Sequence, residues 1–244
     1  MAQPPSPADF RGCTPLWAES NETGGSCPYG AAVYLPFASF TAPAEPSATS
    51  LLAIVYSTVP FFAVLLNLAM LAKFRRPKEV GWLLYTVFSS VCCQTLSKML
   101  GQPRPMSCLT TCGMPSGHAT YSVGIFCLLV QDLALVSAGP APPARLARLL
   151  GLAALLLPVG WSRAALWDHS LAQVVAGSAL GMSTACLWML ALGPCLDAFL
   201  RKVCFREAPA RDVIAQPVLD SSLLELSGPG IQSSQATSRP QLPT

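Results

Sequence analysis

The sequence predicts an all-α fold, a polytopic membrane bundle of about five transmembrane helices. Three observations predict it. Of 244 residues, 52% are hydrophobic and only 11% charged, whereas soluble domains carry roughly a quarter charged residues. Five apolar runs each approach the ~20 residues that cross a bilayer. Lysine and arginine also crowd onto one alternating set of the connections between those runs.

Taken in order, residues 1–50 are rich in Pro, Ala, Ser and Gly and read as an extra-membrane tail with little packing. No charged stretch followed by a short apolar core stands in this tail, so the first apolar run is expected to serve as the insertion signal. The spans are Leu51–Ala72, Val80–Leu100, Ala119–Ala138, Leu146–Trp161 and Leu171–Leu192. The fourth is the shortest and contains Pro158. All five are apolar around the whole helix, a pattern of membrane spans or of the deep core of a large protein. A 25.7 kDa chain cannot hide five such helices from water. The membrane domain therefore covers residues 51–206, and residues 207–244, with Pro, Ser and Gln and few apolar side chains, read as a disordered tail.

With five spans, the N-terminal tail shares one side with the connections 101–118 and 162–170. That side holds Arg11, Lys98, Arg104 and Arg163. The other side holds eleven Lys and Arg residues, including Lys73, Arg75, Arg76, Lys78, Arg145 and Arg148. The positive-inside rule makes this second side, with the C-terminal tail, cytoplasmic. Asn21-Glu22-Thr23 is an N-glycosylation acceptor on the opposite side, where Asn21 is the candidate. Cys13 and Cys27 share that tail and could pair, and Cys108 and Cys112 could pair with each other or with the tail. No basic stripe interleaved with aromatics is present, so nucleic acid is not an expected partner.

Three polar blocks interrupt the apolar runs, all on the tail side: Lys98-x5-Arg104-Pro105, Met114-Pro115-Ser116-Gly117-His118, and Ser162-Arg163-x5-His169-x3-Gln173. Both histidines of the chain lie in them. Guanidinium groups grip phosphate oxygens with parallel hydrogen bonds. A Pro-Ser-Gly turn before a helix start exposes backbone N–H groups at the positive helix end, where an anion binds. Of two imidazoles, one can attack phosphorus while neutral and the other can donate a proton while charged. Such a set suits phosphoryl transfer, which needs charge stabilisation and positioning above all. No Asp/His/Glu cluster suited to a metal is visible, and neither metal nor cofactor is expected.

In these blocks the chain resembles the type-2 phosphatidic acid phosphatase superfamily, whose signature reads K-x6-R-P, P-S-G-H and S-R-x5-H-x3-D. The resemblance spans roughly residues 50–194. It implies a metal-independent hydrolase with His169 as nucleophile and His118 as general acid. Lys98, Arg104 and Arg163 would bind the phosphoryl oxygens, helped by Ser116 and the Gly117 backbone. Gln102-Pro103-Arg104-Pro105, Gly113-Met114 before the second block and Gln173 closing the third are most similar to the dolichyldiphosphatase branch. That branch implies a polyprenyl or dolichyl diphosphate substrate, a phosphohistidine intermediate, and a lumenal active site in the endoplasmic reticulum membrane, serving carrier recycling for protein N-glycosylation.

Two departures carry consequences. Only five residues separate Lys98 from Arg104 where the superfamily has six, so Ser97 occupies the family lysine position. Gln173 replaces the usual Asp; its carbonyl can accept a hydrogen bond from the His169 ring without adding charge, making it the expected orienting group ahead of the adjacent Asp168. The alternatives are a broader lipid phosphatase acting on phosphatidate or sphingoid phosphate, and a non-catalytic membrane scaffold.

Overall fold

The computed structural model describes residues 10–15, 18, 27–36, 38–135 and 142–203. Asn21 and the segment 207–244 lie outside the described residues. The chain is a bundle of antiparallel membrane helices with two small hairpins ahead of it.

Helix α1 (Ala48–Phe74) starts at Ser47, whose hydroxyl accepts from the Ser50 N–H while the Ser50 hydroxyl accepts from the Ser47 N–H. This reciprocal cap satisfies two N–H groups that the first turn leaves without partners. Arg75, in the left-handed region at φ 50°, ends the helix. Pro77 then opens α2 (Pro77–Leu100), where its missing N–H costs nothing. Gly101, at φ 57°, closes α2, and α3 (Gly117–Leu135) follows a loop.

The expected fourth span is two pieces, α4 (Pro142–Leu156) and α5 (Pro158–Ala165), which together make one apolar segment at 143–165. The break has a local cause. Pro158 has no N–H to give the Ala154 carbonyl, and the Tyr56 hydroxyl donates to that oxygen instead, at 3.2 Å. Helix α6 (Leu171–Leu187) passes through a π-helical turn, Trp188–Leu192, into α7 (Gly193–Val203).

Among the described residues, four segments are long and apolar enough to cross a membrane: 48–74, 77–100, 143–165 and 171–200. Only 17–28% of each window is buried inside the protein, so most of their surface faces lipid. The expected third span, Ala119–Ala138, corresponds to α3 and is not one of the four. At 19 residues, α3 is about 28 Å long, close to the ~30 Å depth of a bilayer's hydrocarbon core. It is the innermost helix, with Ala119, Thr120, Tyr121, Ser122, Ile125 and Leu128 all buried. Protein rather than lipid surrounds it, so it can carry hydroxyls.

Helices α3 and α6 approach through small residues. A Cβ on Gly177 would strike the Ser116 carbonyl, and one on Gly181 the Thr120 carbonyl. Two glycines four apart thus let the backbones meet, as small-residue faces do between membrane helices. The contact also brings the start of α3 beside the start of α6.

Among the described residues of the segment 1–50, the expectation of little packing is corrected. Strands β1 (Phe10–Arg11) and β2 (Thr14–Pro15) pair, as do β3 (Gly30–Val33) and β4 (Phe40–Pro43), antiparallel in both cases. Ala38, Phe40 and Thr41 are buried, with Phe40 in a cluster with Ala53 of α1 and Leu166. Two nested disulfides, Cys13–Cys112 and Cys27–Cys108, fasten this segment to the loop between α2 and α3. The tail packs because it carries polar partners for that loop and an apolar plug for the bundle end.

Candidate active site

The start of α1, the end of α2, the start of α3, the end of α5 and the start of α6 share one end of the bundle. The three polar blocks meet there. A cavity of about 390 Å³ opens between them, lined on its polar side by His118, His169, Arg104, Gly117 and Thr120. Ser89, Ser90, Cys93 and Gln94 of α2 form another wall, and Leu35, Ala38 and Ser39 cover it from the tail.

His169 sits between α5 and α6 and is 2% exposed. Its Nδ1 lies 2.7 Å from the Gly113 carbonyl. A carbonyl only accepts, so Nδ1 carries the proton and donates, leaving Nε2 with its lone pair free of hydrogen. The Arg104 Nη1 donates to that lone pair at 2.6 Å. Burial first, and then the charges of Arg104, Arg163 and His118, hold the His169 pKa well below the ordinary histidine value. The ring is neutral at physiological pH, in the tautomer a nucleophilic Nε2 requires.

Arg104 is itself fixed. Its Nε donates to the Thr111 carbonyl at 3.1 Å, Nη2 to the Thr111 hydroxyl at 3.1 Å, and Nη1 also to the Asp168 carbonyl at 3.2 Å. Burial, and then Arg163, lower its pKa to about 10, with Asp168 opposing. The guanidinium remains a cation at neutral pH.

His118, in the first turn of α3, lies on the same cavity, and its Nε2 is buried with no hydrogen-bond partner among the described residues. The Ser116 hydroxyl is likewise buried and unpartnered. The Ser116 N–H donates to the Gln173 carbonyl at 3.0 Å, locking the start of α3 onto α6. Gly117 lines the cavity at the α3 N-terminus, where backbone N–H groups have no intrahelical acceptor.

No family model, curated protein or solved structure matches the chain.

Geometry therefore has to say what each expected residue does. Gln173 does not bond the His169 ring. Its Oε1 accepts from the Ser170 N–H at 3.1 Å while the Ser170 hydroxyl accepts from the Gln173 N–H at 3.3 Å, a capping box that starts α6. Its Nε2 donates to the Pro103 carbonyl at 2.9 Å. The expected orienting role passes to the Gly113 carbonyl, because the Gln173 amide is already occupied. Gln173 acts one step back: a Cβ on Gly113 would stand 2.7 Å from the amide, so the Gly113 peptide rests on Gln173.

Arg163, expected to touch phosphate, is fully buried behind His169 and pairs with Asp168 at 2.8 Å, both side chains 0% exposed. It also donates to the Ser57 hydroxyl at 3.2 Å and the Ser39 carbonyl at 3.0 Å. Its charge reaches the site through space rather than by contact. Lys98 is exposed and absent from the cavity wall. The buried stripe of α2 runs through Thr86, Ser89 and Cys93 towards Ser97, and one residue further turns Lys98 about 100° away from it.

Asp168 is the residue that sequence reasoning set aside. Oδ1 accepts from the Thr41 hydroxyl at 2.6 Å and the Ser107 hydroxyl at 2.5 Å, and Oδ2 from the Thr41 N–H at 3.0 Å besides Arg163. One carboxylate thereby joins the tail, the 101–116 loop and α5 beside the His169 ring. Trp167, just before it, is held in the left-handed region at φ 58°, a conformation a bulky residue adopts only when its surroundings impose it. The Met106 N–H on the Trp167 carbonyl, at 3.2 Å, helps impose it.

Proposed function

We propose that this chain is a membrane lipid phosphatase that converts a dolichyl or polyprenyl diphosphate to the monophosphate and phosphate through a phosphohistidine. One observation carries the reading. A neutral His169, its Nδ1–H tied to the Gly113 carbonyl, presents Nε2 to the cavity that His118 also lines, with the Arg104 cation held on that nitrogen. A buried cup with one cation and two imidazoles suits a phosphoryl group.

In the proposed reaction, the terminal phosphate draws the Arg104 guanidinium onto its own oxygens and uncovers Nε2. Nε2 attacks phosphorus, the bond to the bridging oxygen breaks, and His118, which takes up a proton when the anionic substrate binds beside it, gives that proton to the departing lipid monophosphate. Water then attacks the phosphohistidine while His118 takes back a proton, releasing phosphate. Ser116 and the Gly117 N–H supply donors to the phosphoryl oxygens, and Arg163 lends positive potential from behind.

Disulfides at the site end favour an oxidising compartment, and the basic opposite end favours the cytoplasm. We accordingly place the site in the lumen of the endoplasmic reticulum and the C-terminus in the cytoplasm. The dolichyldiphosphatase-like signature favours dolichyl diphosphate over phosphatidate or sphingoid phosphate. The exposed Lys98 and the Asp168-bound Arg163 favour the competing scaffold reading. Phosphate release by purified protein, in chelator, from these three lipids separates them. Release from dolichyl diphosphate at least tenfold faster than from the others, lost in His169→Ala and His118→Ala, supports the proposal. Equal rates refute the substrate assignment, and no release from any lipid refutes the enzyme.

A further inference from the structure

We propose a second lipid site at the opposite end of the bundle: a groove for one acyl chain of an anionic glycerophospholipid, whose phosphodiester is held by Arg148 and Lys78. The groove, about 500 Å³, lies between α2, α3 and α4. Trp82, Leu129, Leu133, Leu152 and Leu155 make its walls. Lys78 is 20 residues before Lys98 on one helix, so the groove is about 30 Å from the active-site end. It stands independently of the reaction proposed above.

Two observations point to an occupant with a chain and a charge. Gly151 lines the groove in the middle of α4, and a Cβ built on it meets nothing within 4 Å. Glycine is unfavourable inside a helix, and no neighbouring atom requires it here. Its absent side chain leaves a slot that an acyl chain fills. The second observation is the charge at the rim. Lys78 lies 2.9 Å from Asp132 and 5.0 Å above the Trp82 ring, whereas Arg148 is exposed and has no acidic partner among the described residues. Two cations and one carboxylate leave one positive charge at the groove mouth, matching a single phosphodiester. Lys73, Arg75 and Arg76 in the adjoining turn strengthen the attraction. Basic pockets between membrane helices select anionic head groups in this way.

The test is native mass spectrometry of the purified full chain, titrated with phosphatidylglycerol or with phosphatidylcholine of the same acyl composition. Wild type is expected to retain phosphatidylglycerol at least fivefold better. Arg148→Ala and Lys78→Ala each reduce that preference about fivefold, the effect of one basic residue at an anionic surface. Gly151→Leu, with both cations intact, lowers retention of both lipids by filling the slot, and its melting temperature checks that it folds. Arg104→Ala, at the far end, leaves retention unchanged. Parity between the lipids in wild type, unchanged retention in Gly151→Leu, or loss in Arg104→Ala overturns the proposal.

Discussion

Replacing Asp168 by Asn preserves shape and removes charge, which isolates what the buried ion pair contributes. The Arg163 guanidinium, 0% exposed and 2.8 Å from Asp168, would keep its charge with no counter-ion. Removing one partner of a buried pair typically costs about 3–5 kcal/mol, because the remaining charge stays desolvated. For a chain of this size each kcal/mol moves the melting temperature by about 2–4 °C, so Asp168→Asn should lower it by about 6–20 °C. Arg163→Gln should do the same, leaving Asp168 with only Thr41 and Ser107. The double variant should lose less than the sum of the two, since no bare charge remains. Thermal unfolding in one detergent at one scan rate measures all three. A shift below about 2 °C for Asp168→Asn, or strict additivity in the double variant, would refute the argument that this pair holds the tail, the loop and α5 together.

Other expectations follow from the same geometry. The acid limb of kcat/KM should lie below pH 6.5: with its pKa depressed, His169 stays unprotonated there, and activity falls only as pH drops through that lower value. Arg104→Gln should move the limb upward by removing a cation that opposes protonation, besides lowering activity. Lys98→Ala should leave phosphate release within about twofold, because Lys98 is not on the cavity wall; a hundredfold loss would return it to the site. Cys27→Ser with Cys108→Ser should lower thermal stability by about 3 kcal/mol, the chain-entropy value for a loop of about 15 residues, because the outer Cys13–Cys112 bridge already ties these segments together in the unfolded chain. Non-reducing gels should show the wild-type chain slowed by reductant.

Much of the fold was legible because a bilayer demands long apolar helices whatever their partners. The convergence of the three blocks followed from counting spans, whereas α3, buried and interrupted by hydroxyls, is not among the four segments apolar enough to cross a membrane. What stayed hidden was carried by groups with no sequence signature. The Gly113 carbonyl that orients His169 belongs to a backbone every residue has. Asp168 finds Thr41 127 positions away, a distance no local pattern encodes. The disulfide partners of Cys108 and Cys112 were open for the same reason. Gln173 was different: Ser170-x-x-Gln173 is a capping-box signature, and reading it would have shown that its amide was already engaged. The small pair Gly177 and Gly181 likewise announces a close helix contact, though not which helix it meets.

The central claim is that the His169 Nε2 receives a phosphoryl group. Rapid mixing of purified protein with dolichyl diphosphate, an alkaline quench that preserves phosphoramidates, and tandem mass spectrometry of the peptide around His169 test it directly. The account predicts a phosphoryl group on His169, absent in His169→Ala. Turnover with no modified histidine, or with the label on His118 alone, would contradict it.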